Sequence, residues 1–310
     1  MNKSKVLAIL LLLASLSLSA FESKRLSFEL IIEQEASNLD HFFYPILPGD
    51  TIVLSVISKH AGSIVLQNDG GSVSLTKPMH WQYIAPKTKG NYTISITDNV
   101  SHETMELTIF VMVAASKQKG EYLNGYRIGN YPAVTYKNRN KYKIPKGFIE
   151  VTEANKELYI TPHFQLKQFL CKQASGWPKY IVLSPRLLIK LEHLLLEINK
   201  MGTLSNSLFI MSGYRTPYYN HSIGNVKFSR HVFGDAADVY IDENGDSSFD
   251  DINKDGKINM NDADIIYQLV NKIDNNPELI HLLGGMGKYN KNARHTFFIH
   301  VDTRGYKARW

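Results

Sequence analysis

Three side chains in the C-terminal half of the chain have the chemistry of a metal site: His231, Asp238 and His300. Imidazole nitrogens and a carboxylate oxygen suit zinc, and a catalytic zinc site keeps a fourth position for water. Asp238 begins an extended run and His300 lies on another, so pairing of these two strands would bring their side chains together. A single histidine is more often a core or surface group than a ligand. We therefore predict a zinc site from the set of three.

The residues between the first two candidate ligands are small or apolar. Gly234, Ala236 and Ala237 would leave room for the backbone of a substrate above the metal. This makes the stretch SRHVFGDAADVYID, residues 229–242, the strongest indication of function in the chain.

A second group of oxygen-bearing side chains follows in the sequence DINKDGKINMND, residues 251–262. Aspartate and asparagine alternate around Gly256 with the spacing that a twelve-residue calcium loop requires, and the exiting segment has a helical pattern. The candidate ligands are Asp251, Asn253, Asp255, Lys257 through its carbonyl, Asn259 and Asp262. The alternative is an acidic loop that is merely solvated. We expect bound calcium to stiffen an insertion at about 242–264.

Hydrophobic periodicity indicates the elements that must position these residues. Apolar residues recur with helical spacing from Leu187 to Ile198, which predicts a helix that ends at Gly202. The segments SLFIMSGYRTP and HVFGDAADVYI predict strands joined to turns, and HTFFIHVDT predicts a closing strand. Helices mixed with short strands are typical of an α+β domain, which we place at 116–310.

The region before this domain has a different pattern. From Phe28 to Val113, short β-type runs alternate with turns at a spacing of about ten residues, which is typical of a β-sandwich. We predict a small, all-β, immunoglobulin-like sandwich over 21–115 and a polar linker at 115–122. The sandwich contains no cluster of catalytic residue types.

The first 20 residues have the features of an export signal. A positively charged MNKSK precedes the apolar run VLAILLLLASLSLSA, and Ser19 or Ala20 supplies a small residue for cleavage. The alternative is a membrane anchor, but a bilayer span needs roughly 20 apolar residues. We therefore predict an exported protein, periplasmic or associated with the cell wall, without stable membrane insertion after cleavage.

Charge and cysteine content exclude some classes of function. The formal net charge is +6, and loss of the signal would leave 33 basic and 29 acidic side chains. This surplus is too small and too scattered to indicate nucleic-acid binding, although it is compatible with an anionic partner such as a bacterial wall. Cys171 is the only cysteine, so an intramolecular disulfide is impossible.

Three blocks, SGYRTPYYN, SRHVFGDAADV and FFIHVD, occur in the order that is typical of a group of zinc peptidases. Over residues 120 to 310 the chain resembles the D-alanyl-D-alanine carboxypeptidases and murein endopeptidases, a family that shares its fold with the hedgehog signalling domain, and most closely a muramoyl-peptidase branch. The resemblance implies a hedgehog-like α+β fold and the same three zinc ligands. It also implies that Arg215 holds a carboxylate or carbonyl of the substrate, beside Tyr214 and Ser229. The insertion resembles a dockerin or EF-hand calcium loop.

The chain departs from this family at the group that takes a proton from the attacking water. Many relatives carry Glu, Asp or His two or three residues before the last ligand, where this chain has Phe297 and Phe298. Asp302, on the same strand face as His300, is one candidate for the role, and His295 is another. If neither serves, the domain would be a catalytically inactive, zinc-containing module that binds peptidoglycan.

The sequence thus predicts an exported metallopeptidase with zinc and, in the insertion, calcium. Its expected substrate is a peptidoglycan stem peptide or cross-link, cleaved as a carboxypeptidase or endopeptidase at a D,D- or L,D-bond.

Overall fold

A computed structural model describes residues 25–310 apart from residues 61, 140, 141 and 204. The predicted export signal lies outside the described residues. Among those that are described, no helix has both the length and the apolar character needed to cross a membrane.

The first nine strands form two sheets that share one hydrophobic core. One sheet has the antiparallel order β2-β1-β4-β7-β6; the other has the order β3-β9-β8-β5, with β3 parallel to β9. The strands are β1 (Arg25–Ile32), β2 (Glu35–Leu39), β3 (His41–Ile46), β4 (Thr51–Ile57), β5 (Ile64–Asn68), β6 (Ser72–Lys77), β7 (His80–Ile84), β8 (Gly90–Asp98) and β9 (Glu103–Val111). Alternate residues of most strands are buried, as in β4, because one face of each sheet packs on the other.

A short strand joins the two regions of the chain next to the predicted boundary at 115–116. Strand β10 (Val113–Ala114) follows β9 and pairs with β13 (Gly147–Val151) of the second region. The expected linker is ordered: Ala115–Lys117 form a 3-10 helix, and the side chain of Gln118 donates to the carbonyls of Gly120 and Gly129.

The second region mixes small sheets, one larger sheet and helices, in agreement with the α+β prediction. Its remaining strands are β11 (Tyr122–Leu123), β12 (Tyr126–Arg127), β14 (Tyr159–Thr161), β15 (Phe164–Gln165), β16 (Lys179–Ile181), β17 (Phe209–Ser212), β18 (Ala236–Tyr240), β19 (Gly285–Tyr289), β20 (Phe298–Asp302) and β21 (Ala308–Arg309). Its α-helices are α1 (Pro185–Lys200), α2 (Pro217–Ser222) and α3 (Met260–Asp274), and its further 3-10 helices are Tyr136–Asn138, Leu166–Phe169, Arg230–Phe233 and Pro277–Leu282. The larger sheet has the order β17-β18-β20-β19-β21.

Helix α1 is the element that the sequence predicts best. It begins with proline at its first position and ends at Lys200, two residues before Gly202, whose φ of +86° terminates it. The predicted apolar residues from Leu187 to Ile198 are buried. The helix packs against α3 on one side and against the N-terminal sheets on another, where Arg186 pairs with Glu35.

A buried charge on α1 reaches toward the larger sheet. Lys190 Nζ donates to the carboxylate of Asp274 at 2.7 Å and to the carbonyls of Leu282 and Asp302 at 3.2 and 3.1 Å. Arg309 donates to the other oxygen of Asp274 at 2.6 Å. Burial lowers the pKa of Lys190, and the adjacent carboxylate opposes that shift. The network ties α1 and α3 to the end of β20, on which a candidate zinc ligand lies.

Candidate metal centre

Strand register places two of the candidate ligands side by side. β18 and β20 are antiparallel neighbours, and Asp238 lies directly opposite His300 in the ladder. Side chains of directly opposed residues lie on the same face of a sheet, with Cβ atoms about 5 Å apart. The strand pairing that the sequence led us to expect is therefore present.

The third candidate, His231, comes from the 3-10 helix just before β18. This helix ends at Gly234, whose φ is +73° and whose Cα faces the backbone of Val182. A Cβ at this position would lie 2.2 Å from the carbonyl oxygen of Val182, so only glycine fits. The expectation that small residues leave room for a substrate is wrong here. Gly234 accommodates the neighbouring chain, and Ala236 and Ala237 are buried inside the protein.

The three side chains converge on one point. His231 Nε2 lies 3.2 Å from Asp238 Oδ1 and 3.1 Å from His300 Nδ1, and the last two atoms are 2.9 Å apart. All three residues are buried. Ligand atoms around a tetrahedral zinc, each about 2.0–2.1 Å from the ion, lie about 3.3 Å from one another. The donor set and its spacing therefore fit a zinc ion after only small shifts.

Each of these side chains is held from behind by a polar neighbour. The carbonyl of Gly213 accepts from His231 Nδ1 at 2.7 Å, which leaves Nε2 as the ligand atom. Arg215 Nη2 donates to Asp238 Oδ2 at 2.6 Å, which leaves Oδ1. Such outer contacts fix the tautomer and orientation of metal-binding side chains.

Burial and mutual contact shift the pKa values of the three groups. Burial opposes the charge of His300, but hydrogen bonds to Asp238 and Asp302 outweigh it and raise the pKa to about 9. Burial also opposes the charge of Asp238, yet the two histidines hold its pKa well below the usual range. Burial lowers the pKa of His231. An ionised carboxylate and a neutral imidazole are the forms that bind a metal.

The candidate ligands open onto a cavity of about 650 Å³. Seven aromatic side chains line it: Tyr136, Tyr142, Phe228, Tyr289, Phe298, Tyr306 and Trp310. The cationic side chains in its lining are Arg215, Lys227, Arg230 and Arg304, whereas Asp238 is the one carboxylate there among the described residues. The cavity therefore offers apolar walls and an excess of positive charge to a ligand.

Asp302 does not lie where a proton-transfer group would be needed. It is fully buried, and its Oδ2 is 3.2 Å from His300 Nε2, the ring nitrogen that does not face the other ligands. Arg304 Nε donates to both carboxylate oxygens at 2.9 Å, and the backbone N–H of Gly285 donates to Oδ1 at 2.8 Å. Asp302 contacts His300 from behind and is not part of the cavity lining, so the geometry does not support its predicted role in proton transfer.

The predicted substrate-binding residues lie in three different environments. Arg215 lines the cavity, but its Nε donates to Ser212 at 2.8 Å and its Nη2 is paired with Asp238, so much of its hydrogen-bonding capacity serves the metal site. Ser229 lines the cavity directly before the 3-10 helix. Tyr214 is buried, and its hydroxyl contacts that of Tyr131 at 2.9 Å. The predicted contact of Tyr214 with substrate has no support in the structure, because its side chain packs in the interior.

His295 is the candidate base that does line the cavity. Its ring lies edge-on to Phe298, with 4.9 Å between centroids. Its Nδ1 donates to the carbonyl of Thr296 at 2.8 Å, and its Nε2 accepts from the amide of Asn292 at 2.7 Å. These partners correspond to the neutral tautomer, which is the form that can accept a proton.

The sequence analysis missed several residues that support the site. Arg230, buried next to His231, makes two hydrogen bonds to Asp235 at 2.9 and 2.6 Å. Gly284 and Gly285 pack against Asp302 so closely that a Cβ on either would clash with it. The glycine-rich GGMG stretch was the one available signal, because closely spaced glycines inside a strand indicate close approach of another chain segment.

The predicted calcium loop forms a compact turn before α3. The carboxylate of Asp251 accepts the backbone N–H groups of Asp255 and Gly256 at 3.2 and 2.7 Å. Asp262 accepts from Asn259 at 2.9 Å and so caps the helix. Gly256 has a φ of +80°, as the sharp turn of such a loop requires.

The loop differs from the buried site in the direction of its oxygen atoms. In the described part of the chain, the zinc candidates are the one group of three or more His, Cys, Asp or Glu residues whose ligand atoms lie close enough to hold a metal. The loop carboxylates do not form such a group. Most of their contacts are with backbone N–H groups of the loop, and Asp255 Oδ2 also accepts from the side-chain amide of Asn253 at 3.3 Å. Calcium binding stays a prediction. The loop candidates are Asp251, Asn253, Asp255, Lys257, Asn259 and Asp262.

Comparison with known proteins bears on the second region. Residues 162–263 match the family model described as Peptidase M15. The matched segment includes His231, Asp238 and the loop, and it supports a metallopeptidase of this family. M15 peptidases are generally zinc-dependent. No curated protein matches the chain significantly.

Proposed function

We propose that this chain is an exported zinc metallopeptidase that hydrolyses peptide bonds in peptidoglycan stem peptides or cross-links. The convergence of His231 Nε2, Asp238 Oδ1 and His300 Nδ1 beside a cavity is the observation that carries the proposal. The M15 match supports the peptidase, and export rests on the sequence features of residues 1–20.

Side chains of the protein hold the candidate metal ligands in their orientation. Zinc, when bound, would act as a Lewis acid on the scissile carbonyl and make water a better nucleophile at neutral pH. Arg215 holds one oxygen of Asp238 and leaves the other for the metal, and Asp302 holds His300 by its second nitrogen. These contacts keep the ligands in place before the substrate arrives, which reduces the reorganisation that the reaction requires.

The charge of the cavity favours a peptide that carries carboxylates. Its cationic lining exceeds its acidic lining, and a divalent cation would increase the excess. Arginine suits a carboxylate because its planar fork can donate two parallel hydrogen bonds. Arg215 and Arg304 both line the cavity, although each already holds an aspartate of the site.

His295 is the group we assign to proton transfer. It lines the cavity, and in its neutral form Nε2 carries the lone pair that could accept a proton from the attacking water. Asn292 would have to release that nitrogen, which requires only a side-chain rotation on an exposed segment.

The second candidate function is a catalytically inactive, zinc-containing module that binds peptidoglycan. The specific observation in its favour is that Phe297 and Phe298 occupy the positions where related peptidases carry the base. The burial of Asp302 removes a further candidate and strengthens this alternative.

Digestion of purified muropeptides with and without a chelator distinguishes the two functions. We expect mass spectrometry to show new products that disappear with the chelator and return with zinc, and their masses identify the bond. The variant His295→Ala should keep its zinc and lose about 10²–10⁴-fold in kcat, the contribution of a general base. Intact substrate in every arm, together with binding of the muropeptides, would support the inactive module.

A further inference from the structure

Three exposed basic side chains lie over aromatic rings, and these rings line the cavity. We call Lys137, Arg139 and Lys227 the cationic rim. The distances from the charged group to the ring centroid are 5.3 Å for Lys137 on Tyr136, 3.8 Å for Arg139 on Tyr306 and 6.0 Å for Lys227 on Phe228. All three rings line the cavity, so the rim is attached to the same space that the candidate ligands face.

The rim differs from the other cations of this cavity in having no carboxylate partner. Each deep arginine is paired: Arg215 with Asp238, Arg230 with Asp235 and Arg304 with Asp302. Within the described residues, no carboxylate lies within ion-pairing distance of a rim cation. The positive charge of these three arginines is therefore compensated inside the protein, whereas the positive charge of the cationic rim is available to a ligand.

The sequence around the rim contains no compensating acid. Residues 125–149 and 215–233, which carry the rim, have neither aspartate nor glutamate. Cation–π contacts at exposed sites contribute about 0.5–1 kcal/mol each. They hold the cations beside the cavity without neutralising them. Charges that are separated by less than the Debye length, about 10 Å at 0.1 M salt, reinforce one another.

We propose that the cationic rim binds carboxylates of the substrate peptide that lie away from the scissile bond, so that the protein prefers peptides with free carboxylates over their carboxamides. This inference rests on the proposed peptidase function and adds a charge specificity to it. Among the described residues, no hydrogen bond, ion pair or ring contact joins a rim side chain to a candidate ligand or to His295, so we assign the rim to recognition.

The test uses two synthetic stem peptides of identical sequence, one with free carboxylates outside the cleaved bond and one with carboxamides there. The full-length, zinc-loaded protein should cleave the free acid with about tenfold higher kcat/KM at low ionic strength, mainly through KM, and the difference should shrink as salt is added. The triple variant K137Q/R139Q/K227Q should cleave both peptides with equal kcat/KM.

A matched control removes the same charge elsewhere. Lys59, Lys77 and Lys87 are exposed in the N-terminal β region, Lys77 at the end of β6 and the other two in loops, and they have no ion pair among the described residues. The variant K59Q/K77Q/K87Q should retain the preference for the free acid. An unchanged preference in the rim variant would overturn the proposal, as would loss of the preference in the control, since net charge alone would then explain it.

Binding measurements separate failure of this inference from failure of the proposed function. If the zinc-loaded protein cleaves neither peptide, the peptidase proposal fails, and calorimetric titration with each peptide then decides the role of the rim. Tighter binding of the free acid that is lost in the rim variant supports it. Equal affinities for the two peptides reject it.

Discussion

Two regions of this chain carry the residue types of a metal site, and the structure treats them differently. The zinc candidates come from a 3-10 helix and two strands, are separated by up to 69 residues, and are buried with their ligand atoms in contact. The calcium candidates are consecutive in one segment, 251–262, and are exposed or half-buried except for Asp262, which is buried at the start of α3. The carboxylate of Asp251 faces backbone N–H groups of the loop.

This difference shows why the spacing of ligand types in the sequence is weak evidence for an ion in the loop and stronger evidence in the buried site. Aspartate and asparagine readily bond to the backbone two to five residues on, so a loop rich in them can satisfy its oxygens with or without an ion. The buried carboxylate of Asp238 has no such local backbone partner: Arg215 holds Oδ2, and Oδ1 faces the two imidazoles. Burying it is costly unless a proton or a cation compensates the charge.

Removing a ligand from the buried site should have the largest effect. His231→Ala or Asp238→Ala should lose the single zinc equivalent and reduce muropeptide hydrolysis to background, because too few ligands remain. Asp255→Ala, the matched change in the loop, should keep the zinc. Elemental analysis of the purified variants measures this. One equivalent of zinc in the Asp238, His231 and His300 alanine variants alike would refute the assignment.

Comparison of Gly234 with Gly256 distinguishes the cost of a left-handed backbone from the cost of a steric clash. Gly234 has a φ of +73° and Gly256 a φ of +80°, but a Cβ would meet the backbone of Val182 only at Gly234. Gly256→Ala should lower the free energy of unfolding by about 1–2 kcal/mol, the cost of a left-handed residue. Gly234→Ala should cost more than about 4 kcal/mol, since backbone must move as well. Urea unfolding of both variants measures the two losses, and equal losses would contradict the packing argument.

The role of Asp302 can be tested through zinc affinity. Asp302→Asn should weaken zinc binding by about 10–100-fold, the usual effect of removing a group that orients a ligand. Hydrolysis should recover when zinc is saturating, because the substituted residue does not face the cavity. Competition with a chromogenic chelator gives the affinity. Activity that stays lost at full zinc occupancy would restore Asp302 as the proton-transfer group.

Calcium should act on the stability of the loop alone and leave the zinc site unchanged. The loop already has its turn and helix cap, so the ion would add only its own binding free energy, about 2.7 kcal/mol at 100 times Kd. A thermal melt of the zinc-loaded protein should show a higher midpoint with millimolar calcium, and Asp255→Ala should abolish the shift. No shift in either protein would mean that the loop is an ordinary solvated turn.

Local patterns were sufficient for some parts of the fold. The helix predicted from Leu187 to Ile198 is present, and Phe209–Ser212, Ala236–Tyr240 and Phe298–Asp302 are strands. Periodicity reports which face of an element is buried, and that information lies within a few residues. The hydrogen bonds of Lys190 could not be predicted from the sequence, because its partners on α3, on β20 and in the chain before β19 are distant in sequence.

The sequence by itself put forward the three candidate zinc ligands, through their imidazole and carboxylate chemistry and through the order of the three blocks that resemble the zinc peptidases. Chemistry alone did not single them out, because Asp235 and Asp302 in the same blocks carry the same group. Tertiary structure decided what the neighbouring groups do. Strand periodicity correctly put Asp302 on the face of His300, but Gly285 and Arg304 draw its carboxylate behind the imidazole. The direction of a side chain depends on partners that the chain brings together only on folding, and no local pattern contains that information.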